Sequence, residues 1–193
     1  GAVGNTLHNF SVLSDGRSVA LGSIKRQIEV GDYAFQYLAK TSGLVDMSYL
    51  QPSENPMGRA LCFITSDSER TFAISKGCMN HLSVDYIPES VVMNASALLI
   101  SAYTLRSSAD PIFNATIKAC EIATKNGVPV VLSLGTSDLV KENVSFLKEF
   151  INFSVVRATI SFYIPRMHCV YCYICSFKKL IEFYHRKQLS HFG

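Results

Sequence analysis

An α/β chain is predicted by three features of this sequence. Two continuous apolar runs, ASALLIS at 95–101 and VPVVLSL at 128–134, flank a stretch of helical apolar spacing, which is the strand–helix–strand order of a βαβ unit. Upstream, ALCFIT and RTFAIS are short β-type runs joined by a polar turn, the pattern of a hairpin. The composition is that of a chain able to build a core: of 193 residues, 48% are hydrophobic and 17% charged, with ordinary glycine and proline content. Disordered and collagen-like chains are excluded on that ground.

The elements follow in order. Thr6–Leu13 has the spacing of a short helix that ends at Asp15-Gly16, a turn pair. Val19–Ile24 is strand-like. Tyr33, Ala34, Tyr37 and Leu38 recur at helical spacing across Tyr33–Ala39, closed by Ser42-Gly43. In the hairpin, Arg59 to Ser75, the turn is Ser66-Asp67-Ser68-Glu69, and the alternation predicts one wet face. Asp110-Pro111 offers an N-cap followed by proline at the first helical position. Phe113, Ile117 and Cys120 then mark one helical face, widened by Ala119, Ile122 and Ala123. Asn126-Gly127 stops that helix, and Val128–Leu134 is the second buried strand. No internal repeat or low-complexity tract is present.

Net charge is +3, too small to argue for a nucleic-acid partner, yet the average hides a split. Residues 1–153 hold 12 Lys+Arg against 14 Asp+Glu, a net of −2, whereas residues 154–193 hold 6 against the single Glu182, a net of +5. The last 40 residues also carry 8 of the 21 aromatics and three of the six cysteines. Such a shift marks a boundary, giving a domain at 1–153 and a basic, aromatic, Cys-rich tail at 154–193. No apolar run reaches the ~18 to 20 residues of a membrane span, so no membrane partner is expected. GAVGNTLHNF lacks the basic and apolar regions of a signal peptide, which predicts a cytoplasmic protein with free thiols.

Several ordered segments together resemble the ribokinase-like (PfkB) superfamily of sugar and nucleoside kinases. They are GAVGNTLHNFSVLSDGRSVALG at the start, the Gly31-Asp32 turn, SDSERTFAIS, GCMN at 77–80 and VPVVLSLGT at 128–136, over about residues 1–150. The resemblance implies a doubly wound α/β sheet with a small β lid, here incomplete at both ends, with lid elements at about 46–76. It implies transfer of the γ-phosphate of ATP, with Mg²⁺, to a sugar hydroxyl. In the purine-nucleoside branch the acceptor is the 5′-hydroxyl of inosine or guanosine, with a purine nucleoside as the binding partner. Another sugar or nucleoside acceptor remains open.

Candidate substrate-binding residues are carried over on the same footing. Gly1 matches the second glycine, and Asn5 the asparagine, of the family's Gly-Gly-x-x-x-Asn pattern. Glycine lets backbone approach a ribose, and an amide side chain donates to one hydroxyl and accepts from another. The plainer reading is a glycine turn with Asn5 capping a helix. Arg70 matches a position where relatives carry a basic residue near the transferred phosphate, and Phe72 one where they place an apolar contact to the base. The alternative for these is a solvated arginine and a core phenylalanine. Asn80 reads as a structural turn residue, and His8 and His81 receive no role.

Two family parts have no match in the sequence. The Gly-Ala-Gly-Asp motif supplies the catalytic base and a phosphate-binding helix N-terminus, and the Asn-x-x-Glu segment organises Mg²⁺. After Lys148-Glu149-Phe150 a strand and then that second segment are expected, but the chain reads INFSVVRATISFYIPRMHCVYCYIC. No residue here is therefore assigned to catalysis, to ATP or to a metal, and the chain is expected to be inactive alone and loosely packed. The tail is read as translated out of frame. The competing reading is a non-enzymatic nucleoside-binding remnant whose Cys169, Cys172 and Cys175, with His168, His185 and His191, hold zinc. Against it, C-x-x-C-x-x-C is half of the two-knuckle pattern, and nothing upstream completes it.

Overall fold

The computed structural model describes residues 2–14, 16–26, 29–40, 43–153 and 156–160. Gly1, Asp15, Ser42 and residues 161–193, with every cysteine and histidine of the tail, lie outside them. The chain divides into two units, the first of residues 1–88 and 107–115 and the second of residues 89–106 and 116–193. Among the described residues no helix is long and apolar enough to cross a membrane.

The first unit opens with helix α1 (Ala2–Ser14), which contains the predicted Thr6–Leu13 and runs further in both directions. The strand expected at 19–24 is two short pieces, β1 (Ser18–Val19) and β2 (Gly22–Ile24). Helix α2 (Glu29–Ala39) follows. It contains Gly31 and Asp32, so the expected turn at that pair is corrected to helix. The run of apolar spacing extends one turn upstream of Tyr33, and a hydrogen-bonded turn there outweighs the local cost of one glycine. Strands β3 (Val45–Asp46) and β4 (Leu50–Pro52) pair in parallel with β1 and β2.

The predicted hairpin is present as β5 (Arg59–Ile64) and β6 (Arg70–Ser75), antiparallel and without a bulge, from Arg59 opposite Ser75 to Ile64 opposite Arg70. Its wetting differs from the expectation. All twelve strand residues are exposed, on both faces. Alternation sorts side chains between the two faces of a strand pair, but what covers a face is decided elsewhere in the chain.

In the second unit, α3 (Glu89–Met93) leads to β7 (Leu98–Ser101), α4 (Pro111–Lys125) and β8 (Val130–Ser133). Strands β7 and β8 pair in parallel, Leu98 with Val130 through Ser101 with Ser133, so the predicted βαβ unit forms. Val130 and Leu132, on one face of β8, are wholly buried, whereas Val131 and Ser133 on the other are half-buried, so the two faces are not covered equally as the apolar run predicted. Helix α4, whose first turn to Ala115 is counted with the first unit, buries Ala115, Ala119, Cys120, Ile122 and Ala123. Phe113 and Ile117 are only half-buried, so the buried stripe is rotated from the predicted face toward the small residues. Alanines let a helix lie close to its support, and the larger side chains then flank the contact.

The end of α4 is a Schellman turn: Val128 N donates to Ala123 O at 2.8 Å and Gly127 N to Thr124 O at 3.2 Å. Gly127 takes φ +71°, the left-handed conformation that such a turn requires. Helices α5 (Ser137–Glu142) and α6 (Val144–Phe153) follow, with Leu139, Leu147, Phe150 and Ile151 buried. Strand β9 (Val156–Ile160) then pairs in parallel with β8, giving the sheet order β7-β8-β9. The strand expected after residue 150 therefore exists, past the compositional break at residue 153.

Candidate functional site

The candidate site centres on one face of the β5–β6 hairpin. Arg70, Phe72 and Ile74 alternate along β6 and share a face with their cross-strand partners Ile64, Cys62 and Ala60. Phe72 is 53% exposed and sits directly opposite Cys62. Arg70 is exposed, opposite Ile64, at the end next to the turn. The face offers an aromatic ring, a cation two residues away, and aliphatic side chains around them. That combination suits a flat, partly apolar ligand bearing negative charge at one end. The solvated-arginine alternative agrees with the exposure of Arg70, whereas the core alternative for Phe72 does not.

The tip is ordered by its own side chains. Thr65 Oγ1 donates to Asp67 Oδ1, Glu69 N reaches the same oxygen at 3.4 Å, and Thr65 N donates to Glu69 O at 3.1 Å. The Thr65 hydroxyl, helped by the Glu69 amide, holds the Asp67 carboxyl below the usual range. Ser68 completes the turn at φ +66°, a conformation costly for a residue with a Cβ.

The base of the hairpin is built from residues far apart in sequence. Cys78 is fully buried; its amide donates to Pro56 O at 2.7 Å, and its sulfur lies 3.6 Å from both Ser23 O and Met57 Sδ. Asn80 Nδ2 donates to Asp110 Oδ2 at 2.6 Å, and Lys76 Nζ reaches the same oxygen at 3.2 Å. Asn80 is thus a structural residue, in agreement with the sequence reading. Asp110 does more than precede α4, since its carboxylate gathers two side chains from the strand exit. His81 Nδ1 meets Asn55 Nδ2 at 3.1 Å, and His81 O accepts from Gln51 Nε2 at 3.0 Å.

Asn5 is exposed in the first turns of α1. Among the described residues no hydrogen bond or ion pair joins it to Arg70 or Phe72. Gly1 lies outside the described residues. His8 stacks on Tyr37 with ring centres 4.7 Å apart, and its Nδ1 is buried with no hydrogen-bond partner among the described residues. A cleft of about 790 Å³ lies elsewhere in the first unit, lined by Lys25, Arg26, Phe35, Asp46, Leu50 and Glu54 among others. None of the sequence-predicted residues lines it. Its cations are engaged locally, Lys25 with Glu54 and Arg26 over the Phe35 ring at 3.9 Å from its centre. The Lys25-Arg26 pair was the one signal in the sequence that could have marked it.

Similarity to known proteins bears on this arrangement. No family model matches the chain. Over 152 residues, 78% of the chain, it is 47% identical to the guanosine-inosine kinase of Escherichia coli (strain K12), and equally to that of Escherichia coli O157:H7. The chain is a homologue of guanosine-inosine kinase. It spans about a third (35%) of the length of these curated relatives.

Solved structures agree on the fold of this guanosine-inosine kinase homologue. An adenosine kinase from Sinorhizobium meliloti superposes with a TM-score of 0.70 at 21% identity, covering 82% of this chain and 47% of that one. A putative ribokinase II from E. coli, in complex with ATP and Mg²⁺, gives 0.67 at 17% identity, covering 83% and 51%. A PfkB protein from Polaromonas sp. JS666 gives 0.65 at 15% identity, covering 83% and 54%. The α/β ribokinase-like fold is therefore established.

Proposed function

We propose that this chain carries part of an ATP-dependent nucleoside kinase that phosphorylates the 5′-hydroxyl of inosine or guanosine, a purine-salvage reaction of the cytoplasm. One observation carries the reading: 47% identity over 152 residues to guanosine-inosine kinase. Residues 1–153 are then a partial kinase domain, with the lid at about 46–76, whose sheet runs on into β9 (Val156–Ile160), and the remainder of the 154–193 tail does not continue it. Phe72 packs on the purine, Arg70 meets the phosphate being transferred, and Gly1 with Asn5 holds the ribose hydroxyls. The exposed hairpin face supports the first two roles, since a ring and a cation already share it.

ATP and Mg²⁺ belong to the proposed activity, and no described residue is assigned to either. No group of three or more His, Cys, Asp or Glu side chains among the described residues could hold a metal ion. No step of phosphoryl transfer is assigned to this chain's own residues, which bind and orient the nucleoside. On this proposal the chain alone binds nucleoside without turnover.

Calorimetric titration of the folded chain with inosine and guanosine tests this, run beside an assay for ADP release. Saturable binding without ADP is expected, and Phe72→Ala should weaken it by roughly 2- to 10-fold. A folded chain that binds neither nucleoside would refute the proposal.

A further inference from the structure

We propose that Cys78 and Met57, at the foot of the β5–β6 hairpin, form a binding site for one soft monovalent cation, Cu(I). None of its residues is assigned to the nucleoside, so the site stands or falls apart from the functional reading above.

The two donors are sulfurs brought together from positions 21 apart in sequence. Cys78 Sγ lies 3.6 Å from Met57 Sδ and 3.6 Å from Ser23 O, and Cys78 is wholly buried. A thiol carries one proton, so its S–H satisfies one of those two acceptors at a time. A cation in the place of the proton touches both sulfurs together. Two metal–sulfur bonds of about 2.3 Å that meet at a tetrahedral angle hold their sulfurs about 3.8 Å apart, so the pair has to open by about 0.2 Å. The Ser23 carbonyl is at hand as a third donor.

The frame around the sulfurs is set by backbone. Cys78 N donates to Pro56 O at 2.7 Å, and Lys25 N reaches Met57 Sδ at 3.3 Å. On the other side of Met57 the chain crosses Gly77 backbone on backbone. A Cβ on Gly77 would stand 2.3 Å from Pro56 O and 2.7 Å from Gly58 N, and one on Gly58 would stand 2.7 Å from Lys76 O. Both neighbours of Met57 thus rest on the segment that carries Cys78. Donors held in this way are in position before an ion arrives. Met57 is half-buried, so the buried thiol is reached from solvent past its thioether.

Softness and charge choose the ion. Thiolate and thioether are the ligands that select Cu(I), whereas Mg²⁺ and Ca²⁺ take oxygen. On binding, the S–H bond breaks, an S–Cu bond forms, the proton leaves to solvent and copper stays Cu(I). The thiolate charge cancels that of the ion, and the buried site holds no net charge. Zn²⁺ on the same donors would leave one positive charge in a dry site, where uncompensated charge is costly. Among the described residues no carboxylate or imidazole hydrogen-bonds to either sulfur to offset it.

The test is a Cu(I) titration in ascorbate against bicinchoninate, a coloured chelator of that ion. It uses the full chain carrying Cys62→Ser, Cys169→Ser, Cys172→Ser and Cys175→Ser, which leaves Cys78 and Cys120 as its thiols. One equivalent should bind, with two sulfur neighbours in X-ray absorption. Cys78→Ser should abolish binding, and Cys120→Ala should leave it unchanged. Met57→Leu keeps the thiol and nearly the same packing volume, and should weaken binding by roughly 10- to 100-fold. A chain that takes no Cu(I) from the chelator overturns the proposal. So does a Met57→Leu chain that binds as tightly, or loss of binding on Cys120→Ala in place of Cys78→Ser. Displacement of Cu(I) by an equal concentration of Zn²⁺ would contradict the charge argument and overturns it too.

Discussion

Ser68 holds a left-handed backbone with a Cβ at the hairpin tip, while Thr65, Asp67 and Glu69 bind one another around it. Glycine removes the steric cost and leaves those bonds in place. Ser68→Gly should therefore stabilise the chain by about 0.5–1 kcal/mol in urea unfolding, less any entropy that glycine adds to the unfolded state. An unchanged or lower midpoint would show that the tip is not strained. Gly77 is the opposite case, because a methyl group there meets the Pro56 carbonyl and the Gly58 amide at once. Gly77→Ala should cost about 2–4 kcal/mol, read from the same unfolding curves. Cysteine chemistry divides by position. Cys62 is exposed, whereas Cys78 and Cys120 are buried. Brief iodoacetamide treatment followed by peptide mapping should modify Cys62 and spare the other two until denaturant is added.

Helix α4 has both of its ends specified by neighbours in sequence. Asp110-Pro111 starts it and Asn126-Gly127 stops it, and the Schellman bonds of Gly127 and Val128 use the carbonyls that a helix end leaves free. A Cβ on Gly127 meets nothing within 4 Å, so Gly127→Ala should pay only for the positive φ, about 1 kcal/mol, well under the cost at Gly77. Comparable losses at the two glycines would contradict the distinction between crowding and backbone preference. The hairpin shows what an element does without a covered face. Leu61, Phe63, Ile64, Phe72 and Ile74 are between 53% and 69% exposed, an apolar load that isolated strand pairs do not carry stably in water. Pairing Leu61→Thr with Phe63→Thr, on the face opposite Phe72, should raise the concentration at which the chain stays soluble. Light scattering would detect no gain if other surfaces drive association.

Across the whole molecule, alkaline pH tests the integrity of the α4 packing. Burial, with a smaller contribution from Glu121, pushes the Cys120 thiol up to about 12 from an ordinary value of 9.0. The unfolded chain loses that proton first, so this contribution to stability is complete below pH 9.0 and is lost as pH rises toward about 12. Cys120→Ala should flatten the alkaline fall in unfolding midpoint, at a neutral-pH cost of about 1 kcal/mol. A fall equally steep in the variant would place the titration elsewhere.

The sequence by itself determined the α/β class, the hairpin, the βαβ unit and the resemblance to ribokinase-like kinases. Each rests on relations between residues close along the chain: alternation, helical spacing, a proline after an aspartate, a glycine after an asparagine. Arg70 and Phe72 share a face for the same local reason, a separation of two along one strand. Tertiary structure decided the rest. That both hairpin faces are open, and that Phe113 and Ile117 of the predicted α4 face flank the buried stripe, depend on what stands opposite, which no local pattern records. The meeting of Lys76 and Asn80 with Asp110, and the crossing of Gly58 on Gly77, join positions 19 to 34 residues apart. Such contacts form only once the intervening chain has folded, because their geometry is set by the elements between them.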